Sequence, residues 1–304
     1  MMSGTHSLAT WRRIAQQFAP DLMLTQADPL FGGFSAQTTV LTLENAHKEP
    51  VRWVVREHGD IDRTANPHIA RDEYRLLKHL EDAQIPVPKP LYVDETDTFL
   101  PMPYIIVSFV EGKTDLPQNL AHAVEQLAQM LVNIHRVDTR PLSFLPAVEV
   151  GVRRLLNPPP VVDGTFPEKE IRAFLADYDL IGSLKHLCLL HGDYWHGNIL
   201  WQGDQLAAVL DWEDASLGDP LVELAKARLE LLWTAGAQTM RDFTACYQRL
   251  TGIDLATLPL WDLWVSLKPA LRFSLWAADA QYEQHMRTQH AWFIQQAFDQ
   301  INTR

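Results

Sequence analysis

The segment HGDYWHGN at residues 191–198, followed by ILWQGDQLAAVL at 199–210 and DWEDASLGDP at 211–220, decides how this chain is read. Two short apolar runs, NILW from Asn198 and LAAVL ending at Leu210, flank a turn at Gly203 and Asp204, a pattern that predicts a hairpin. A two-stranded hairpin brings its outer ends together. Asn198, at its start, and Asp211, at its end, are therefore expected to face one point in space. Asp193 stands five residues before Asn198, on the loop that opens the hairpin, and is expected close to both. Three oxygen-bearing side chains converging on one place suit phosphoryl transfer. Mg²⁺ takes hard oxygen ligands and keeps several waters, so one carboxylate and one amide oxygen suffice. A separate carboxylate must accept or orient the proton of the attacking hydroxyl. On this chemistry Asp211 and Asn198 are assigned to Mg²⁺, and Asp193 to the substrate hydroxyl.

Working outward, the first third reads as sheet. TTVLTL at 38–43 alternates apolar and polar residues, and VRWVVR at 51–56 is rich in β-branched ones. Upstream lies LFGGFSAQ, with Gly32 and Gly33 adjacent, which gives the order strand, glycine turn, strand, turn, strand. A helix is expected to follow, with Asn66 as N-cap and Pro67 as its first residue. It should stop before IPVPKP at 85–90, where prolines cannot continue it. Strands are expected at Leu91–Val93 and Tyr104–Val110. Composition then changes near Glu111 to Gln118. Asn119–Arg136 carries an apolar stripe at helical spacing, LNPPPVVDGT reads as a loop, and Pro167–Leu184 is again expected to be helical. From Leu221 onward the chain reads as long amphipathic helices.

The chain has 304 residues, 47% hydrophobic and 21% charged, enough for two lobes with cores of their own. Its formal net charge of −12 argues against a broad nucleic-acid-binding face and suits either a cationic small substrate or plain solubility. Cys188 and Cys246 are the only cysteines, too few for a disulfide framework or a Cys-rich zinc site. The N-terminal stretch lacks the apolar core of a signal peptide, and the run at 102–110 is too short to span a bilayer, so a cytoplasmic location with no membrane partner is expected.

HGDYWHGN followed by LDWEDASLGDP resembles the aminoglycoside phosphotransferase and choline kinase family, which shares the protein-kinase fold. The resemblance implies an α+β, bilobal fold: an N-terminal antiparallel-sheet lobe with one main helix, and a mostly helical C-terminal lobe. It places a nucleotide-binding lobe at 1–111, with the hinge at about 105–112, and a catalytic and substrate-binding lobe at 112–304. By resemblance Asp193 is the catalytic base, Asn198 a metal ligand and Asp211 the main one. His191 would brace the loop, and Asp219 would hold the catalytic segment and begin the next helix. Where the family often has a further Asp, this chain has Glu223. LFGGFSAQ resembles the family's turn over the triphosphate, where Gly32 and Gly33 let backbone amides approach phosphate. Arg56 stands where this fold puts a Lys or Arg against the α- and β-phosphates, with Arg52 and Lys48 as alternatives. Glu73 matches the partner of that cation, and the backbone from Ser108 to Val110 matches the segment that hydrogen-bonds the purine. The match runs from about residue 24 to 225. It implies a small-molecule kinase moving the γ-phosphate of ATP or GTP, with Mg²⁺, to a hydroxyl of an aminoglycoside, a choline-like amine, a sugar or a fructosamine. A non-catalytic nucleotide-binding pseudokinase is the alternative.

Other residues have plainer readings. His191 and His196 near Asp193 could suggest zinc, but no third nitrogen or sulfur ligand stands nearby. Cys188 reads as a small buried residue. Trp261, Trp264 and Trp276 read as core before they read as a cation-binding box. Asp214, Glu230, Trp261, Trp264 and Arg272 are candidates for reading the acceptor.

Overall fold

A computed structural model describes residues 6–30, 36–157, 160–182 and 187–303 of the chain. It divides into two compact units, Met1–Glu111 with Ala208–Glu213, and Gly112–Ala207 with Asp214–Arg304.

The first unit is built on an antiparallel sheet. Helix α1 (Leu8–Phe18) starts at Ser7, whose hydroxyl accepts the Thr10 amide proton. Strands β1 (Met23–Leu30), β2 (Ala36–Glu44) and β3 (Pro50–His58) follow. A short helix α2 (Asp60–Ala65), the main helix α3 (Ile69–Asp82), and strands β4 (Pro90–Asp94) and β5 (Tyr104–Ser108) complete the unit up to Glu111. The sheet order is β1-β2-β3-β5-β4, with every neighbouring pair antiparallel. In this register Arg56 on β3 lies opposite Thr38 on β2 and Ile105 on β5. Because strand side chains alternate, Trp53 and Val55 enter the core formed with Trp11, Leu41, Leu43, Tyr104 and Ile106. Arg56 is carried to the other face.

The second unit is mostly helical. It contains α4 (Leu120–His135), α5 (Val148–Leu156), α6 (Glu168–Ala176), β6 (Cys188–Leu190) and β7 (Ile199–Gln202). Strand β8 (Gln205–Val209) pairs with β7, and the chain passes into the first unit within it. Then come β9 (Ser216–Gly218), α7 (Pro220–Thr251, kinked at Gly236), α8 (Leu258–Val265), α9 (Phe273–Trp276) and α10 (Ala280–Asn302). Its core includes Leu131, Val132, Leu224, Phe243, Trp261, Leu263 and Phe293, all almost fully buried. No described helix is long and apolar enough to cross a membrane.

Several expected boundaries move. Asn66 does not cap α3: its side-chain oxygen accepts the His68 amide proton, and the helix begins at Ile69. Asn66 and Pro67 form the turn before the helix, because the Asx bond competes with the helical one. Helix α6 ends at Ala176, well short of Leu184. Strand β5 ends at Ser108 and not Val110, since the Ser108 and Phe109 amides turn to Lys89 O and Arg52 O. Trp261 and Trp264 are core residues at 1% and 3% exposure.

Candidate active site

In the first unit, one guanidinium gathers three carboxylates. Arg56 Nη2 donates to Asp211 Oδ1 at 2.7 Å and Glu213 Oε2 at 3.2 Å, and Nη1 lies 3.3 Å from Glu73 Oε1. Strand β3 supplies the cation, α3 supplies Glu73, and the segment returning at 208–213 supplies Asp211 and Glu213. Glu73 is held from a second side by the fully buried His58, whose Nε2 lies 3.1 Å from Oε2. Burial works against the charge on Arg56, but Glu73, Asp211 and Glu213 more than offset it, so its pKa stands above the ordinary arginine value. Burial likewise opposes ionised Glu73, yet Arg56 and then His58 bring its pKa below the usual glutamate value. Asp211 adopts φ +64°, a left-handed conformation uncommon outside glycine. Such strain is stored where a side chain must point in one direction.

The other expected residues of this unit sit as follows. Gly32 and Gly33 fall in residues 31–35, outside the described residues. The Ser108 amide donates to Lys89 O, and its hydroxyl accepts from Lys89 N, both at 2.9 Å. Val110 follows past the end of β5. Arg52, an alternative phosphate-binding cation, stacks over the Phe109 ring at 3.9 Å and pairs with Glu111. Lys48 sits with φ +60° in the turn between β2 and β3.

In the second unit, the loop after β6 carries Asp193 and Asn198. Strand β6 pairs with β9, Cys188 opposite Gly218. Gly192 then turns with φ +88°, and a Cβ there would stand 2.1 Å from the Asp214 carbonyl oxygen, so only glycine fits. The loop is fastened by Glu223, fully buried in the first turn of α7. Its carboxylate accepts the backbone protons of His191 at 2.9 Å and Gly192 at 2.6 Å. It also lies 3.1 Å from His135 Nε2, whose other ring nitrogen is 2.7 Å from the Tyr247 hydroxyl. Burial raises the Glu223 pKa, but His135, His191 and these bonds carry it below the usual value. His191 Nδ1 accepts the Asp193 amide proton at 3.2 Å, and Tyr194 Oη donates to Leu127 O at 2.9 Å. Asp219 caps α7 by accepting the Leu221 amide proton at 2.9 Å, with Pro220 as the first helical residue.

This scaffold fixes the two polar groups of the loop against each other. Asn198 Nδ2 donates to Asp193 O at 2.9 Å and Asp193 Oδ2 at 3.2 Å, which leaves the amide oxygen as the atom offered to a ligand. Asp193 Oδ1 accepts from Lys268 Nζ at 3.0 Å, and Lys268 is 3.9 Å from Glu230 Oε1. Lys226 Nζ donates to Gly192 O at 3.0 Å. Burial opposes ionised Asp193, but Lys268, with His191 and Lys226, brings its pKa below the usual aspartate range. Lys226 is pushed down by burial and by Lys268. The sequence alone does not point to Lys268 or Lys226, because lysines on a helix or turn carry no motif.

Among the described residues, no group of three or more His, Cys, Asp and Glu gathers as a metal cage. Asn198 in the second unit and Asp211 in the first each offer a hard oxygen of the kind Mg²⁺ takes. Cys188 is buried and donates to Gly218 O, and its pKa is raised by burial, consistent with a packing role.

The fold is that of kinase-like phosphotransferases. The wild-type aminoglycoside 2'-phosphotransferase-IIIa in its GDP complex superposes with a TM-score of 0.65 at 15% identity, covering 98% of each chain. The macrolide 2'-phosphotransferase type I does so at 0.66 and 17% identity, covering 95% of this chain and 99% of that one. Acyl-CoA dehydrogenase family member 11 of Rattus norvegicus is 25% identical over 248 residues, 71% of this chain and 32% of that protein. The chain spans about a third or less of the length of the first curated relatives it matches. A family model described as the phosphotransferase enzyme family matches residues 27–258, and the chain belongs to that family.

Proposed function

We propose that this protein transfers the γ-phosphate of ATP or GTP, with Mg²⁺, to a hydroxyl of a small molecule. The observation that carries the reading is the Arg56 fork on Glu73, Asp211 and Glu213. A guanidinium of this kind suits donor phosphates, and Asp211 beside it offers a hard oxygen of the kind Mg²⁺ takes. Residues 1–111 would serve nucleotide binding and 112–304 catalysis and acceptor binding. Arg56 would turn its fork to the donor phosphates, braced by Glu73, and Ser108 and Val110 would lie along the base. Gly32 and Gly33 would place backbone amides on the phosphates. Asp211 and Asn198 would hold Mg²⁺, which when bound neutralises charge on the transferring phosphoryl group. Asp193 would take the acceptor's hydroxyl proton on its carboxylate, which the lysines keep ionised. The GDP complex of the aminoglycoside enzyme supports a nucleotide donor. Glu230 and Asp214 supply carboxylates around the lysines beside Asp193, and an amine-bearing acceptor suits them.

The test is phosphate transfer from γ-labelled ATP and GTP to a panel of aminoglycosides, amino alcohols, sugars and fructosamines. Asp193→Asn and Asp211→Asn are expected to lower turnover by about 10²–10⁴-fold with the fold intact. Near-wild-type turnover in either variant overturns the assignment.

A further inference from the structure

We propose that Lys268 is a positioning residue for Asp193, and that Glu230 on α7 is a second seat for the same ammonium. The proposal rests on the reading of Asp193 as the group that takes the acceptor's proton.

The geometry joins three separate pieces of the second unit. Lys268 lies between α8 and α9, Glu230 on α7, and Asp193 in the loop after β6. The ammonium stands 3.0 Å from Asp193 Oδ1 and 3.9 Å from Glu230 Oε1, and it lies 5.8 Å from the centre of the Trp276 ring. Side-chain exposures of 27% for Lys268 and 19% for Glu230 leave the pair only partly screened by water. With Asn198 on Oδ2, Lys268 fixes both oxygens of Asp193, so its carboxylate plane is set before an acceptor arrives.

A lysine so placed has two opposed effects. It orients the carboxylate and keeps it ionised, but it also weakens it as a proton acceptor. Glu230 moderates the second effect, because the more it draws the ammonium, the less positive field Asp193 feels. The groups facing Glu230 are Lys268, Asp193 and Tyr282 from α10, and Lys226 stands one turn earlier on α7. Burial pushes the Glu230 carboxyl up to about 7; Lys268 draws it back and Asp193 adds to the rise. The titration of Glu230 therefore reports where Lys268 sits.

The experiment is a ¹³C-carboxyl NMR titration of the full chain labelled at glutamate, free of nucleotide, in wild type, Glu230→Gln, Asp193→Asn, Lys268→Met and Lys268→Arg. A glutamate resonance with a midpoint near 7 is expected in wild type and absent from Glu230→Gln. Asp193→Asn should lower that midpoint by about one pH unit, since it removes a like charge and frees the ammonium for Glu230. Lys268→Met should raise it by a similar amount, about one unit, and Lys268→Arg should return it toward wild type. A midpoint unmoved in folded Asp193→Asn or folded Lys268→Met overturns the proposal. Should Lys268→Met fail to fold, Asp193→Asn decides. Mg²⁺-dependent ATP hydrolysis by Asp193→Asn tests the underlying assignment separately. Retained hydrolysis with a shifted midpoint leaves the shared ammonium standing and removes Asp193 as proton acceptor; lost hydrolysis with an unmoved midpoint does the reverse.

Discussion

A guanidinium can serve Glu73, Asp211 and Glu213 at once because its five donors lie in one rigid plane. An ammonium at the end of a flexible stem cannot copy that fork. Arg56→Lys is therefore expected to weaken Mg²⁺-ATP binding about tenfold, read by calorimetry, while the protein still folds. Arg56→Met takes away the guanidinium that the three carboxylates share, and should lower stability by about 2–3 kcal/mol in urea titration. Gly192 is constrained from the other side, by space. Gly192→Ala would place a methyl group 2.1 Å from the Asp214 carbonyl oxygen and force the loop carrying Asp193 to shift. Activity should fall by at least about 10²-fold even where circular dichroism is unchanged, because small misplacements at a reacting centre are that costly. At this scale much is legible in the sequence. Motif and order point to Arg56, Glu73, Asp193, Asn198 and Asp211. Glu213 carries no motif, and nothing in the sequence says that Arg56 reaches it. Lys268 is not legible at all, because it meets Asp193 across 75 residues of chain and from a turn without periodicity.

Helix α7 shows how an element can organise a loop it does not belong to. Its first turn supplies the Asp219 cap, the Pro220 start and the Glu223 carboxylate, so helix formation and loop fastening are one event. Asp219→Ala should cost about 1 kcal/mol, the worth of an N-cap. Glu223→Ala should cost more, about 3 kcal/mol, because it orphans the buried His191 and Gly192 amides and the His135 ring. Both are measurable as shifts in the urea midpoint. The sequence announces α7 through Asp219-Pro220 and the hairpin through Gly203-Asp204, because both signals are local. The start of α3 is misplaced for the same reason: Asn66 can form an Asx turn or a cap, and only the Asp72 partner of its side-chain nitrogen, six residues on, shows which it does. Helix α1 carries one local signal, the Ser7 cap. Its place is set by Trp11 and Ile14 entering the sheet's core, a long-range contact that no short window displays.

For the molecule as a whole, the family match stops at residue 258, so Lys268 and α10 lie beyond the matched residues. What remains legible there is physical, and it predicts how stability should follow pH. Glu73, Asp193 and Glu223 have pKa values below their ordinary ones, despite burial, because cations and backbone amides favour their charged forms. Each contributes stability that is present above its unfolded-state value and is lost as pH falls through the folded one. The protein should therefore lose stability below about pH 4.5. Glu230 acts in the opposite sense. Its folded pKa is raised from 4.5 to about 7, chiefly by burial. Between those values the native state binds more protons than the unfolded chain, so stability must decline as pH rises across the interval. One pH unit between the folded and unfolded values corresponds to about 1.4 kcal/mol, which bounds the loss at about 3 kcal/mol once partial exposure is allowed for. Glu230→Gln keeps the shape and removes the titration. Its urea midpoint should match wild type near pH 5, exceed it at pH 8, and vary less between the two. A variant that tracks wild type at both values would show that Glu230 is not forced to ionise in a buried site.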